Sequence, residues 1–65
     1  MKRSARIERI SHYIEVLDYD MGETHFMTYG QVSPPLRGKI REGQDVVIEY
    51  VNAMNHAIWH IVEVL

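Results

Sequence analysis

Apolar residues recur along this chain in two rhythms. From Asp45 to Val51, and again from Ala57 to Leu65, β-branched and aromatic residues crowd into short runs. Such runs, bounded by breakers, predict strands. Asn52 to His56 separates these two, which predicts an antiparallel hairpin. Thr24 to Tyr29 reads as a further strand, entered from a turn at Asp20-Met21-Gly22-Glu23. Gly30 through Gln44 holds both prolines and predicts the main irregular region.

The first third supports two readings. Ile7, Ile10, Ile14, Leu17 and Met21 are spaced alternately by three and four, the stripe of an amphipathic helix that Ser4 caps and Gly22 ends. Tyr13 to Leu17 is instead strand-like and leads directly into a turn and a hairpin partner. The preferred reading is two strands, Arg6–Ile10 and Tyr13–Asp18, which makes the protein mainly β: a small five-stranded antiparallel barrel. The alternative is an α+β arrangement, an N-terminal helix packed on a three-stranded sheet.

On the preferred reading, Ile7 and Ile10, Tyr13 to Leu17, Gly38 to Ile48, and Trp59, Ile61 and Val64 together resemble small OB-fold and SH3-like barrels. In those folds a loop ending in glycine and a polar residue launches a late strand, as Glu42-Gly43-Gln44-Asp45-Val46 does here. The resemblance implies a closed or half-open barrel, which removes exposed sheet edges, and a tendency to bind oligonucleotides, small ligands or proteins.

Length tightens the picture. Sixty-five residues make one domain, residues 1–65, with a core worth about 3–5 kcal/mol. With no cysteine, disulfides and thiolate metal sites are excluded, leaving self-association or a histidine-bound metal as stabilisers. The hydrophobic share of 46% is that of a folded protein. No apolar run approaches the ~18 residues of a membrane span, and no signal core follows the basic start. The expectation is a cytoplasmic chain with no membrane contact.

Both late strands are apolar on both faces. Val46, Ile48 and Tyr50 oppose Val47 and Val51, and Ile58, Val62 and Val64 oppose Trp59, Ile61 and Leu65. A barrel has one interior, so the second face predicts a cover: a homodimer, a higher oligomer or a partner protein.

Charge gives the second clue. The net charge is −2, yet all seven cations lie in two groups: Lys2, Arg3, Arg6 and Arg9, then Arg37, Lys39 and Arg41. The second group alternates along the central loop. As rim charges around the aromatic anchors Tyr29, Tyr50 and Trp59, these residues predict a binding surface, because arginine and buried aromatics dominate interface energies. The same groups suit a second reading, single-stranded nucleic acid or a nucleotide, with bases stacked on Tyr13, Phe26, Tyr29 or Trp59.

Catalytic candidates are thin. Ser4, Ser11 and Ser33 stand in no nucleophile-elbow context, and the glycines form no phosphate cradle. Glu15, Asp18, Asp20 and Glu23 read as a solvated acidic turn, too short for a calcium loop. His56 with His60, or His12 with His25, supplies two imidazoles but no fixed third metal ligand. The sequence therefore predicts a small non-catalytic interaction or regulatory protein, with no cofactor or metal, acting on a partner protein or on a second copy of itself.

Overall fold

The computed structural model describes residues 1–53 and 56–65, and their side chains except at 52, 53, 56 and 57. Five strands form: β1 (Lys2–Ile10), β2 (Ile14–Asp18), β3 (Glu23–Met27), β4 (Asp45–Ala53) and β5 (His56–Val64). Two 3₁₀ turns, Tyr29–Gln31 and Pro34–Leu36, lie between β3 and β4. All ladders are antiparallel, in the order β3-β2-β1-β4-β5. Met54 and Asn55, at the centre of the expected hairpin turn, lie outside the described residues.

The N-terminal helix of the α+β alternative does not form. A two-residue rhythm overrides the helical stripe: Ala5 and Ile7 on β1, and Ile14 and Val16 on β2, are fully buried, while Met21 is 55% exposed. Ser11 to Tyr13 closes a tight bend in which Ser11 N–H donates to Tyr13 O at 2.9 Å. β1 also starts earlier than the sequence indicates, at Lys2. Pairing with β4 (Lys2 opposite Glu49, Arg3 opposite Ile48) holds this charged segment extended.

One face of the sheet carries the core. Ile7, Ile14, Met27, Ile48 and Ile61 are its largest buried apolar residues, with Val32 of the 3₁₀ region packed among them. Each buried isoleucine contributes about 1.5–3 kcal/mol relative to exposure. Turns fix the registers. Gly22 adopts φ +66° in the β2–β3 turn, and Gly43 adopts φ +83° just before β4, conformations that favour glycine.

The sheet curls strongly. A flat five-stranded sheet holds its edge strands roughly 19 Å apart. Here the His25 ring of β3 lies 5.4 Å from the Trp59 ring of β5, although these are the two edges. No ladder joins β3 to β5 among the described residues. The segment after β3 is laid on β5 instead: Val32 bridges to Ile61, Ser33 N–H donates to Ile61 O at 2.9 Å, and the Gln31 amide donates to Trp59 O at 2.8 Å. The protein is thus mainly β with five antiparallel strands, as expected, in a curled sheet that no strand ladder closes among the described residues. No helix among the described residues is long and apolar enough to cross a membrane.

Candidate functional site

Strand alternation decides what lies beyond the core. Two residues along from Ala5, Val16, Met27, Ile48 and Ile61, the same inner face presents Arg3, Asp18, His25, Tyr50 and Trp59. Each of the five strands contributes one residue to this layer. The curl brings them together at one end of the sheet.

Asp18 is the hub. It is fully buried, and its Oδ2 accepts from Arg3 Nη1 at 3.0 Å and from His25 Nε2 at 3.3 Å. Its Oδ1 accepts from the backbone N–H of Asp20 at 3.0 Å and of Met21 at 3.4 Å, so it also shapes the β2–β3 turn. Burial pushes its carboxyl up. The hydrogen bonds from His25, Arg3, Asp20 and Met21 outweigh burial and hold it below the usual carboxylate range. Because an ionised carboxylate only accepts, His25 carries its proton on Nε2.

Trp59 is surrounded by its neighbours in this layer. Arg3 Cζ lies 5.3 Å from its ring centroid, within cation–π range. The Tyr50 ring lies 4.9 Å away at 58°, a tilted aromatic pair. Tyr50 keeps 46% of its surface in solvent, and the Arg3 and His25 side chains keep 20%. The layer sets Tyr50 and Trp59 beside a hydrogen-bonded ion cluster. A carboxylate with four donors and a lowered pKa is a poor proton acceptor at neutral pH.

The six residues singled out from sequence fall into two regions. Tyr50 and Trp59 meet directly. Tyr29, 43% exposed, stands in the 3₁₀ turn whose Gln31 is bonded to Trp59 O. Arg37, Lys39 and Arg41 are exposed on the connection entering β4, where Arg37 Nε donates to the O of Val32, the residue that bridges to Ile61 of β5.

Arg3, Asp18 and His25 escaped sequence reading. The acidic turn is not wholly solvated, because Asp18 is buried while Asp20 and Glu23 are exposed. Counting two residues outward from each core position would have found all three. Of the histidines, His12 is exposed, His25 serves Asp18, and the His56 side chain lies outside the described residues. Among the described residues no three His, Asp or Glu side chains are placed to share a metal ion, and no pocket is found.

The outer face is mixed. Tyr13, Phe26 and Ile58 are 55%, 66% and 40% exposed, with Val47 and Val51 half-buried. Charges there are paired: Arg6 with Glu8 at 2.9 Å and Arg9 with Glu15 at 3.9 Å. The Tyr19 hydroxyl donates to Asp45 Oδ1 at 2.7 Å, which raises the phenol above its ordinary range. The sequence matches no protein-family model and no curated protein.

Proposed function

We propose that this protein is a non-catalytic interaction module that acts by covering a protein surface, its own second copy included. The observation that carries the reading is the Tyr50–Trp59 pair, in which Tyr50 is 46% exposed and Trp59 is backed by Arg3 and His25, themselves held by Asp18. Tyrosine, tryptophan and arginine are the residues that supply most interface energy, and rigidity before binding lowers the entropy cost. The outer face of β4 and β5, with Val47, Val51 and Ile58 incompletely covered, supports self-association.

Trp59 is the only tryptophan, so its emission reports on this surface. Sedimentation and acrylamide quenching are followed together from low to high micromolar protein. The expected result is a concentration-dependent dimer or higher oligomer in which Trp59 becomes less quenchable, with Tyr50→Ala weakening assembly about tenfold or more. A monomer at every concentration removes the second copy as the partner. An oligomer indifferent to Tyr50→Ala moves the interface to the outer face.

A second reading has its own support. Strand number, direction and order, with β5 turned back toward β3, suit a half-open barrel of OB type. On its outer face Tyr13 and Phe26 are exposed, and Arg9, whose side chain is 68% exposed, lies across Glu15 from Phe26, an arrangement that offers base stacking and a phosphate contact. Oligonucleotide binding that weakens steeply with salt and is lost in Phe26→Ala would favour it.

A further inference from the structure

The seven cations are not treated alike. Three of the four on β1 have a carboxylate partner: Arg3 with Asp18, Arg6 with Glu8, and Arg9 with Glu15. The fourth, Lys2, stands opposite Glu49. Arg37, Lys39 and Arg41 have no carboxylate at ion-pairing distance among the described residues. The one acid beside them in sequence is diverted, because Glu42 Oε2 accepts from Ile10 N–H at 2.8 Å.

The connection is also held in shape. Leu36 and Ile40 pack against the core, which turns the three cations between and beyond them outward. Arg37 Nε donates to Val32 O at 3.0 Å, and Lys39 N–H to Leu36 O at 2.9 Å. Gln44 Oε1 accepts from Arg41 N–H at 3.0 Å. This is a fixed ridge of three like charges over five residues.

We propose that this ridge docks a carboxylate-rich segment of a partner protein. Charge complementarity points to an anion, and the size of the ridge points to a short one. The net charge of −2 already includes these three cations, so the rest of the molecule is strongly acidic. A polynucleotide running past the ridge meets that repulsion, whereas an acidic segment confined to the ridge avoids it. The ridge is independent of the aromatic pair and stands or falls separately.

The test is an amide-shift titration of the isotopically labelled chain with octaglutamate at low salt, with octalysine as the sign control. Octaglutamate is expected to move the amides of Leu36 to Arg41 and to lose roughly tenfold in affinity or more by about 0.3 M salt, where the Debye length shrinks to roughly 6 Å. The Lys39→Glu/Arg41→Glu double variant should abolish these shifts. Tyr50→Ala should leave the affinity within about twofold, since it carries no charge and makes no contact with the ridge. Lys39→Gln/Arg41→Gln serves if the reversal disturbs the fold, which the remaining amides report. No shift at low salt, shifts centred on β1, or tighter binding of an octathymidylate than of octaglutamate would each overturn the proposal.

Discussion

Arg3 and Arg37 are the same side chain put to opposite uses. Arg3 sits on a strand whose alternation turns it inward, where it meets the buried Asp18 and the face of Trp59. Arg37 follows Leu36, a partly buried anchor, and is left outside with one bond to a backbone carbonyl. The other cations follow the same division. β1 is flanked on both sides by antiparallel partners, so its charges find acids on its own strand or across the sheet. The connection before β4 meets β1 at Glu42 to Gln44, beyond its three cations, and its neighbouring acid is bonded to the Ile10 backbone. The difference teaches that backbone placement, not residue type, separates a cation that builds the fold from one free to meet a partner.

The strongest way to break this comparison is at Asp18. Asp18→Ala removes a carboxylate with four donors, leaving the largely desolvated Arg3 without its counter-charge and His25 without its hydrogen-bond partner. It should cost about 2–4 kcal/mol, discounted because both partners keep some solvent contact. For a domain this small that is most of the stability, a loss of roughly 10–25 °C in melting temperature. Thermal denaturation followed by circular dichroism checks it. A cost under about 0.5 kcal/mol would place the β1 cluster on the same footing as an exposed ion pair.

Acid sharpens the same point. The Asp18 carboxyl is held lower in the folded chain than in the unfolded one. The folded state therefore binds fewer protons there, and the cluster's contribution is present above the ordinary carboxylate range near pH 4 and lost as pH falls below it. Urea midpoints taken from pH 6 down to 3 should drop more steeply for the wild type than for Asp18→Asn. Parallel slopes would mean that Asp18 is not the group being titrated.

The turn that Asp18 shapes gives the next effect in size. Gly22 sits at φ +66° with its N–H donating to Asp18 O at 2.8 Å, and nothing crowds its Cα. Gly22→Ala should cost about 1 kcal/mol from backbone conformation alone. Denaturant midpoints measure it, and a neutral outcome would show that the turn relaxes without loosening Asp18.

These effects fall where sequence reading was weakest. The late strands and the two strands before the first turn were legible, because β-branched runs bounded by breakers have a local cause. β4 and β5 extend within two residues of the bounds expected for them. The strand start at Lys2 was not legible, because ladders to β2 and β4 hold a segment whose own residues have no strand preference. The inner polar layer was hidden for a related reason. Arg3, Asp18 and His25 lie 15 and 7 residues apart, and only the β1–β2 and β2–β3 ladders join them. Tyr50 and Trp59 were chosen as anchors for their chemistry, and they prove to be cross-strand partners. The three loop cations stand on a connection whose path depends on contacts far away in the chain, such as Arg37 with Val32 and Glu42 with Ile10, which no local pattern announces.

The smallest expected effect is the one that separates the two regions most cleanly. If the ridge cations serve the fold, removing one must destabilise it. If they serve only a partner, removal should do nothing or slightly help, since Lys39 and Arg41 repel each other. Two exposed like charges some 7–8 Å apart in water cost each other about 0.5 kcal/mol, and roughly half of that once salt screens them. Lys39→Gln should therefore change stability by less than about 0.3 kcal/mol, toward greater stability, and the gain should shrink as salt rises. Arg3→Gln, by contrast, should cost about 1.5–3 kcal/mol, as expected for loss of a hydrogen bond to a charged, buried acceptor. Paired urea titrations at low and high salt decide between them. A destabilising Lys39→Gln would return the ridge to the fold and remove the reason to look for its partner.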